Sequence, residues 1–187
     1  LSIIFLLCVS QLGVDFVNWL SMLVVKPKVL PRLDFSESIP SQYRTMVAIP
    51  TMLSDKEAID RLMNNLELHY LRNQTENIHF VLLTDFLDAD EEVIASDNFL
   101  VEYARLAITS LNKKYFSENA SIFFLLHRPR RWNPSENKWM GYERKRGKLM
   151  EFNALLKGKD TNAFSVIEGN RDILTSVKYV ITLDSDT

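Results

Sequence analysis

Residues 1–25 are apolar almost throughout and contain neither lysine nor arginine. A run of about 20 such residues is long enough to cross a bilayer as a helix. Gln11, Asp15 and Asn18 interrupt the run at helical spacing and so share one stripe. An Asp at the bilayer centre costs about 3 kcal/mol on insertion scales. The stripe is therefore expected to face other helices, or the segment to lie as an interfacial helix. A buried helix of a soluble protein is the competing reading of the same pattern. Lys26 and Lys28 follow at once, which assigns that end to the cytoplasmic side. A secretory signal fits less well, since the run has no basic start and no small-residue cleavage site. Pro27, Pro31 and Pro40 make residues 26–44 an extended linker, because proline fixes φ and lacks an N–H donor.

Beyond Arg44 the rhythm alternates between short apolar runs and a 3.6-residue period. Residues 46–49 form a strand ending at Pro50. Residues 55–71 form a helix with Ile59, Leu62, Met63, Leu66 and Tyr70 inward, started by Ser54 and a capping box to Glu57. Strands follow at 79–84, 122–126 and 179–183. A second helix is expected over 91–115, with Phe99, Leu100, Tyr103, Leu106, Ala107 and Leu111 inward. A short one is expected over 148–157, closed by Gly158. Fully apolar strands alternating with helices predict an α/β fold: a parallel sheet with helices on both faces and right-handed crossovers.

The composition narrows the function. At 187 residues, 47% hydrophobic and 25% charged, the chain can bury one core. A net charge of −2 gives no global basic field, so no nucleic-acid partner is expected. Cys8 is the sole cysteine, which excludes a disulfide framework and a cysteine zinc site. His69, His79 and His127 lack metal-ligand spacing and read as surface or packing residues. The chain starts inside an apolar stretch without Met and stops directly after a strand, so it is expected to be a truncated piece of a longer protein.

Polar residues gather after the strands, where open parallel sheets bind ligands. Thr51 follows the first strand, Asp85 the second, Arg128, Arg130 and Arg131 the third, and Asp184 and Asp186 the fourth. In Asp184-Ser185-Asp186 the two carboxylates point the same way on an extended chain, a donor pair for Mg²⁺ or Mn²⁺. Such an ion neutralises charge on a departing diphosphate. The stretch 128–148 carries Arg128, Arg130, Arg131, Arg144, Lys145, Arg146 and Lys148, with Trp132, Trp139 and Tyr142 between them. Arginine forks suit phosphate, and the aromatic rings suit a sugar or a base. Gly147 before Lys148 is expected to admit an anion at the start of a helix. A solvated basic loop is the plainer alternative. Asn73-Gln74-Thr75 and Asn119-Ala120-Ser121 fit the glycosylation pattern but read as chance in a cytoplasmic domain.

Five blocks resemble a known family: Leu30-Pro31-Arg32-Leu33-Asp34-Phe35-Ser36, Arg44-Thr45-Met46-Val47-Ala48-Ile49-Pro50, Leu82-Leu83-Thr84-Asp85-Phe86, Trp139-Met140-Gly141-Tyr142-Glu143-Arg144-Lys145-Arg146-Gly147-Lys148-Leu149 and Val180-Ile181-Thr182-Leu183-Asp184-Ser185-Asp186-Thr187. They are similar to the glycosyltransferase domain of cyclic β-1,2-glucan synthases, glycosyltransferase family 84. Tyr142 and Ser185 depart from it, standing where Trp and Ala are usual. The resemblance implies a GT-A-like, Rossmann-like fold, with the fourth strand paired to the first, over residues 45–187. It implies a bacterial inner-membrane enzyme, its catalytic domain cytoplasmic, taking UDP-glucose as donor and a growing glucan as acceptor, with membrane lipid around the N-terminal helix.

Carried onto this sequence, the resemblance has Asp184 and Asp186 hold metal and nucleotide, and Asp85 meet the uracil or ribose. Arg146 and Lys148 hold the diphosphate, and Lys148 and Asn153 resemble the Gly-Lys-to-Asn helix of family 2 transferases. Thr51, by its place after the first strand, and Arg144, from the basic stretch, complete the expected nucleotide-sugar set. The general base is expected downstream of Thr187, which leaves this piece inactive alone. Two other readings compete: a non-catalytic nucleotide-binding fragment, and a haloacid dehalogenase-type phosphotransferase. The latter needs Asp-x-Asp-x-Thr after a first strand, whereas Thr187 follows Asp186 directly and the strand is the fourth.

Overall fold

A computed structural model describes residues 2–25, 35, 38–115, 121–159 and 162–184. The chain divides into two compact units, Leu1–Asp34 and Phe35–Thr187. In the first, helix α1 (Ser2–Val24) spans 23 residues. That is about 35 Å at 1.5 Å per residue, enough to cross a bilayer core of about 30 Å. Gln11 Nε2 donates to Asp15 Oδ1 at 3.2 Å, so two members of the polar stripe satisfy one another. Most of the expected linker, and Asp186 with it, lies outside the described residues.

The second unit holds strands β1 (Thr45–Leu53), β2 (Ile78–Phe86), β3 (Phe123–His127), β4 (Arg131–Asn133), β5 (Lys138–Met140), β6 (Val166–Glu168) and β7 (Tyr179–Thr182). Between them run helices α2 (Lys56–Arg72), α3 (Asp97–Tyr115), α4 (Arg144–Leu156) and α5 (Arg171–Thr175). The main sheet has the order β6-β3-β2-β1-β7. β7, β1, β2 and β3 are parallel, and β6 closes one side antiparallel. This mixed α/β arrangement is compatible with a Rossmann-like fold, and the fourth parallel strand pairs with the first as expected.

Alternate residues of each strand point to opposite faces, which builds two core layers. On one face Val47, Ile49, Leu53, Phe80 and Leu82 pack with Ile59 and Leu66 of α2 and with Leu100 and Ile108 of α3. On the other, Met46, Ala48, Val81, Leu83, Phe124 and Leu126 pack with Phe152 of α4 and Leu174 of α5.

Several boundaries differ from the sequence reading. β1 continues through Pro50 to Leu53. Ala48 O accepts from Leu183 N at 3.0 Å, so Ala48, and with it Pro50 two residues on, turns its main-chain groups toward β7. β7 pairs only as far as Ala48, so the N–H that proline lacks has no ladder partner to lose. The cap of α2 is Asp55, whose carboxylate accepts from Ala58 N at 2.7 Å. Ser54 sits one residue too early, and the capping box to Glu57 is not formed.

α3 begins at Asp97, six residues later than expected, and there Asp97 Oδ2 accepts from Ile94 N at 2.8 Å. Phe99 (58% exposed) and Leu106 (53%) face outward, and Leu100, Ala104 and Ile108 take the inner face. α4 begins at Arg144, four residues earlier than expected, and does end at Gly158 with its positive φ of 71°. The hairpin β4–β5 and the strand β6 were not foreseen. Each is three residues long and mostly half-buried or exposed, too short for a periodic signal.

Candidate nucleotide-sugar cleft

A cleft of about 530 Å³ opens at the carboxyl ends of β1 and β2. Pro50, Thr51 and Asp85 form its floor. Arg61, Leu62 and Asn65 of α2 make one wall, and Arg144, Lys145 and Lys148 of α4 the other. The cleft thus gathers Thr51 and Asp85 from the strand ends with Arg144 and Lys148 from the basic stretch.

Beneath the floor is a buried ionic cluster. Arg128 clasps Asp85 with two parallel bonds, Nε to Oδ1 at 2.8 Å and Nη2 to Oδ2 at 2.9 Å. Lys148 Nζ stands 3.0 Å from the same Oδ2 and also donates to the Thr51 carbonyl. All three side chains are 3% exposed. Arg128 Nη1 reaches Glu151 of α4 at 2.7 Å, so one guanidinium ties β2, the end of β3 and α4 together. Burial works against the Lys148 charge and lowers its pKa, with Asp85 opposing. Burial also works against Arg128, yet Asp85 and Glu151 outweigh it and raise its pKa.

Two glycines make this packing feasible. A Cβ on Gly141 would lie 2.4 Å from the Asp85 carboxyl carbon. A Cβ on Gly147 would lie 2.3 Å from the Tyr142 carbonyl oxygen. Gly147 therefore serves the first turn of α4, which opens on two consecutive left-handed residues, the cap Glu143 (φ 53°) and Arg144 (φ 46°). The expected helix start at an anion-facing Gly147 is not what the chain forms.

The remaining basic residues separate by what they touch. Arg130 is sealed in a second buried pair, with Nη1 2.5 Å from Asp97 Oδ2, and its Nε donates to Leu87 O at 2.7 Å. It ties the segment after β2 to α3. Arg144 Nη2 bridges Asp88 and Glu136, at 2.9 Å each. Arg146 is 76% exposed, faces Glu143 at 3.5 Å and is not part of the cleft wall. Lys145 lines the cleft, and its Nζ contacts Oδ1 of Asp184 at the end of β7.

Of the expected metal pair, Asp184 is exposed at the rim and offers one hard oxygen ligand of the kind Mg²⁺ or Mn²⁺ takes. Asp186 lies outside the described residues. Among the described residues no three His, Cys, Asp or Glu gather into a metal centre. His127 is buried, its Nδ1 2.9 Å from Thr84 Oγ1, and burial brings its pKa down to about 4. It packs edge-on to Phe86, with ring centroids 4.2 Å apart, a packing histidine as the sequence suggested.

Arg61 lines the cleft but was not among the expected site residues, and Lys145 belonged to the expected basic stretch without a role of its own. The rule that ligands bind beyond strand ends picks out loop residues. It overlooks the opening turns of the helices that follow, which border the same rim.

No family model matches the chain. Cyclic beta-(1,2)-glucan synthase NdvB of Rhizobium meliloti (strain 1021) is 40% identical over 185 residues. The alignment takes in 99% of this chain and 6% of that protein, so the chain spans a small fraction of its relative's length. From end to end, then, this chain is similar to one segment of a cyclic β-(1,2)-glucan synthase, and the likeness carried by its motifs extends well beyond them.

Proposed function

We propose that residues 45–187 form the nucleotide-sugar-binding half of a GT-A glycosyltransferase domain. In the longer protein this half serves transfer of glucose from UDP-glucose to a growing β-1,2-glucan. The observation that carries the reading is the cleft itself: a pocket at the carboxyl ends of parallel strands, with a cationic α4 wall and an exposed aspartate, Asp184, at its edge. That the similar protein is named a glucan synthase supports the sugar chemistry.

Each part of the cleft has a use in this reading. Met52, Leu62, Phe86 and Leu87 offer an apolar shelf for a flat base. The buried Asp85–Arg128–Lys148 cluster keeps the floor rigid, so the donor meets a preformed surface. Positive charge on α4 suits a diphosphate. Asp184 and Asp186 would hold Mg²⁺ or Mn²⁺, which when bound offsets charge developing on the leaving diphosphate. α1 would seat in membrane lipid, with the cleft on the cytoplasmic side of the inner membrane.

Calorimetric titration of the chain with UDP and UDP-glucose, with Mn²⁺ and then with EDTA, tests the reading. Binding that EDTA weakens is expected. A chain that binds no uridine nucleotide under either condition would overturn the assignment of the cleft.

A further inference from the structure

The first two turns of α4 carry four cations, and their present contacts separate them. Arg144 is committed to Asp88 and Glu136. Arg146 faces Glu143, away from the cleft lining. Lys148 is sealed against Asp85 and the Thr51 carbonyl. Lys145 lines the cleft as Arg144 and Lys148 do, but among the described residues its one ion-pair partner is Asp184, and both ends of that pair are more than half exposed, 52% and 60%.

We propose that Lys145 is the residue that grips the phosphates of a nucleoside diphosphate in this cleft, giving up its contact with Asp184 to do so. The inference rests on the nucleotide-sugar reading of the cleft and names the group that meets the phosphates.

Three physical points support the exchange. An ion pair with both ends in water is weak and easily given up. A diphosphate carries more charge than one carboxylate and offers several acceptor oxygens, so it competes well for an ammonium group. The lysine stem is long and flexible, and Nζ can move across the cleft mouth without disturbing α4. Lys148 has none of this freedom. Moving it would leave the Asp85 carboxylate buried with one cation fewer.

Binding of uridine, UMP and UDP to the full chain, measured by calorimetry with Mn²⁺ present, tests the proposal. Lys145→Met is expected to weaken UDP about tenfold, as loss of one charge-assisted contact would, and to leave uridine unchanged. Lys145→Arg, which keeps the cation, is expected to recover most of the loss, and thermal melting should show both variants folded. Equal UDP affinity in Lys145→Met and the unaltered chain would overturn the proposal while leaving the cleft assignment standing. An equal loss for uridine and UDP would also overturn it, since the effect would then lie outside the phosphates. An unaltered chain that binds none of the three ligands would remove the nucleotide-sugar reading itself.

Discussion

Asp85→Asn is the most informative single change, because Asp85 is the carboxylate shared by two buried cations. The substitution keeps the size of the side chain and removes its charge. Arg128 would retain Glu151, which is 23% exposed, and Lys148 would retain the Thr51 carbonyl. Removing one partner of a buried pair costs about 3–5 kcal/mol, because an uncompensated charge is left behind. Asp85, Arg128 and Lys148 are all 3% exposed, so little solvent screening reduces that figure. A loss of about 4 kcal/mol is therefore expected, a large part of the roughly 5–15 kcal/mol that holds a domain folded. With a urea slope of about 2 kcal/mol per molar, the unfolding midpoint should fall by about 2 M. Circular dichroism during urea unfolding reads this directly. The double change Asp85→Asn with Lys148→Met should lose less than the sum of the two single changes, because it removes one stranded charge. An unchanged midpoint together with lost UDP binding would refute the reasoning and place Asp85 on the ligand.

Other tests follow from the same core. His127 is held neutral, its pKa brought from 6.5 to about 4 by burial. Above pH 6.5 neither state takes up its proton; as pH falls toward 4 the unfolded chain binds a proton that the folded chain refuses. Stability should thus drop by about 3 kcal/mol across that window, and His127→Phe should flatten the loss in urea melts at pH 7 and pH 5. Gly141→Ala would press a methyl group into the Asp85 carboxyl, 2.4 Å away, and should cost about 1–3 kcal/mol by overpacking. A melting temperature equal to that of the unaltered chain would show that the carboxyl has room to move.

Strands β1, β2 and β3 were legible because they are buried on both faces, which forces unbroken apolar runs such as 80–83 and 123–126; β7 is mostly exposed and showed itself by its short apolar run alone. What escaped was decided by contacts distant in sequence. Asp97 reads as one acidic residue in a polar stretch, yet its bond to Ile94 N and its pair with Arg130 fix the start of α3 there. The cationic run 144–148 reads as a uniform loop until the helix is known to begin at Arg144. At about 100° per residue, 144, 145 and 148 then share a face and 146 turns away. The strand-end rule brought Thr51 and Asp85 to the cleft and the basic stretch brought Lys148, but nothing in their spacing says that Lys148 and Arg128 divide one carboxylate between them.

Pro50 has an effect on the shape of the binding edge. In a parallel ladder that continued past Ala48, residue 50 would set its N–H opposite the Leu183 carbonyl. Proline has none to offer, so the ladder between β1 and β7 has no next rung after the Leu183–Ala48 bond. The paired register of the two strands ends there. Thr51 lies past that point on one strand and Asp184 past it on the other. A residue bearing an N–H at position 50 would have a donor to set against the Leu183 carbonyl, and the ladder could run one rung further. The proline thus leaves the strand end at Pro50 and Thr51 free to serve as cleft floor instead of ladder.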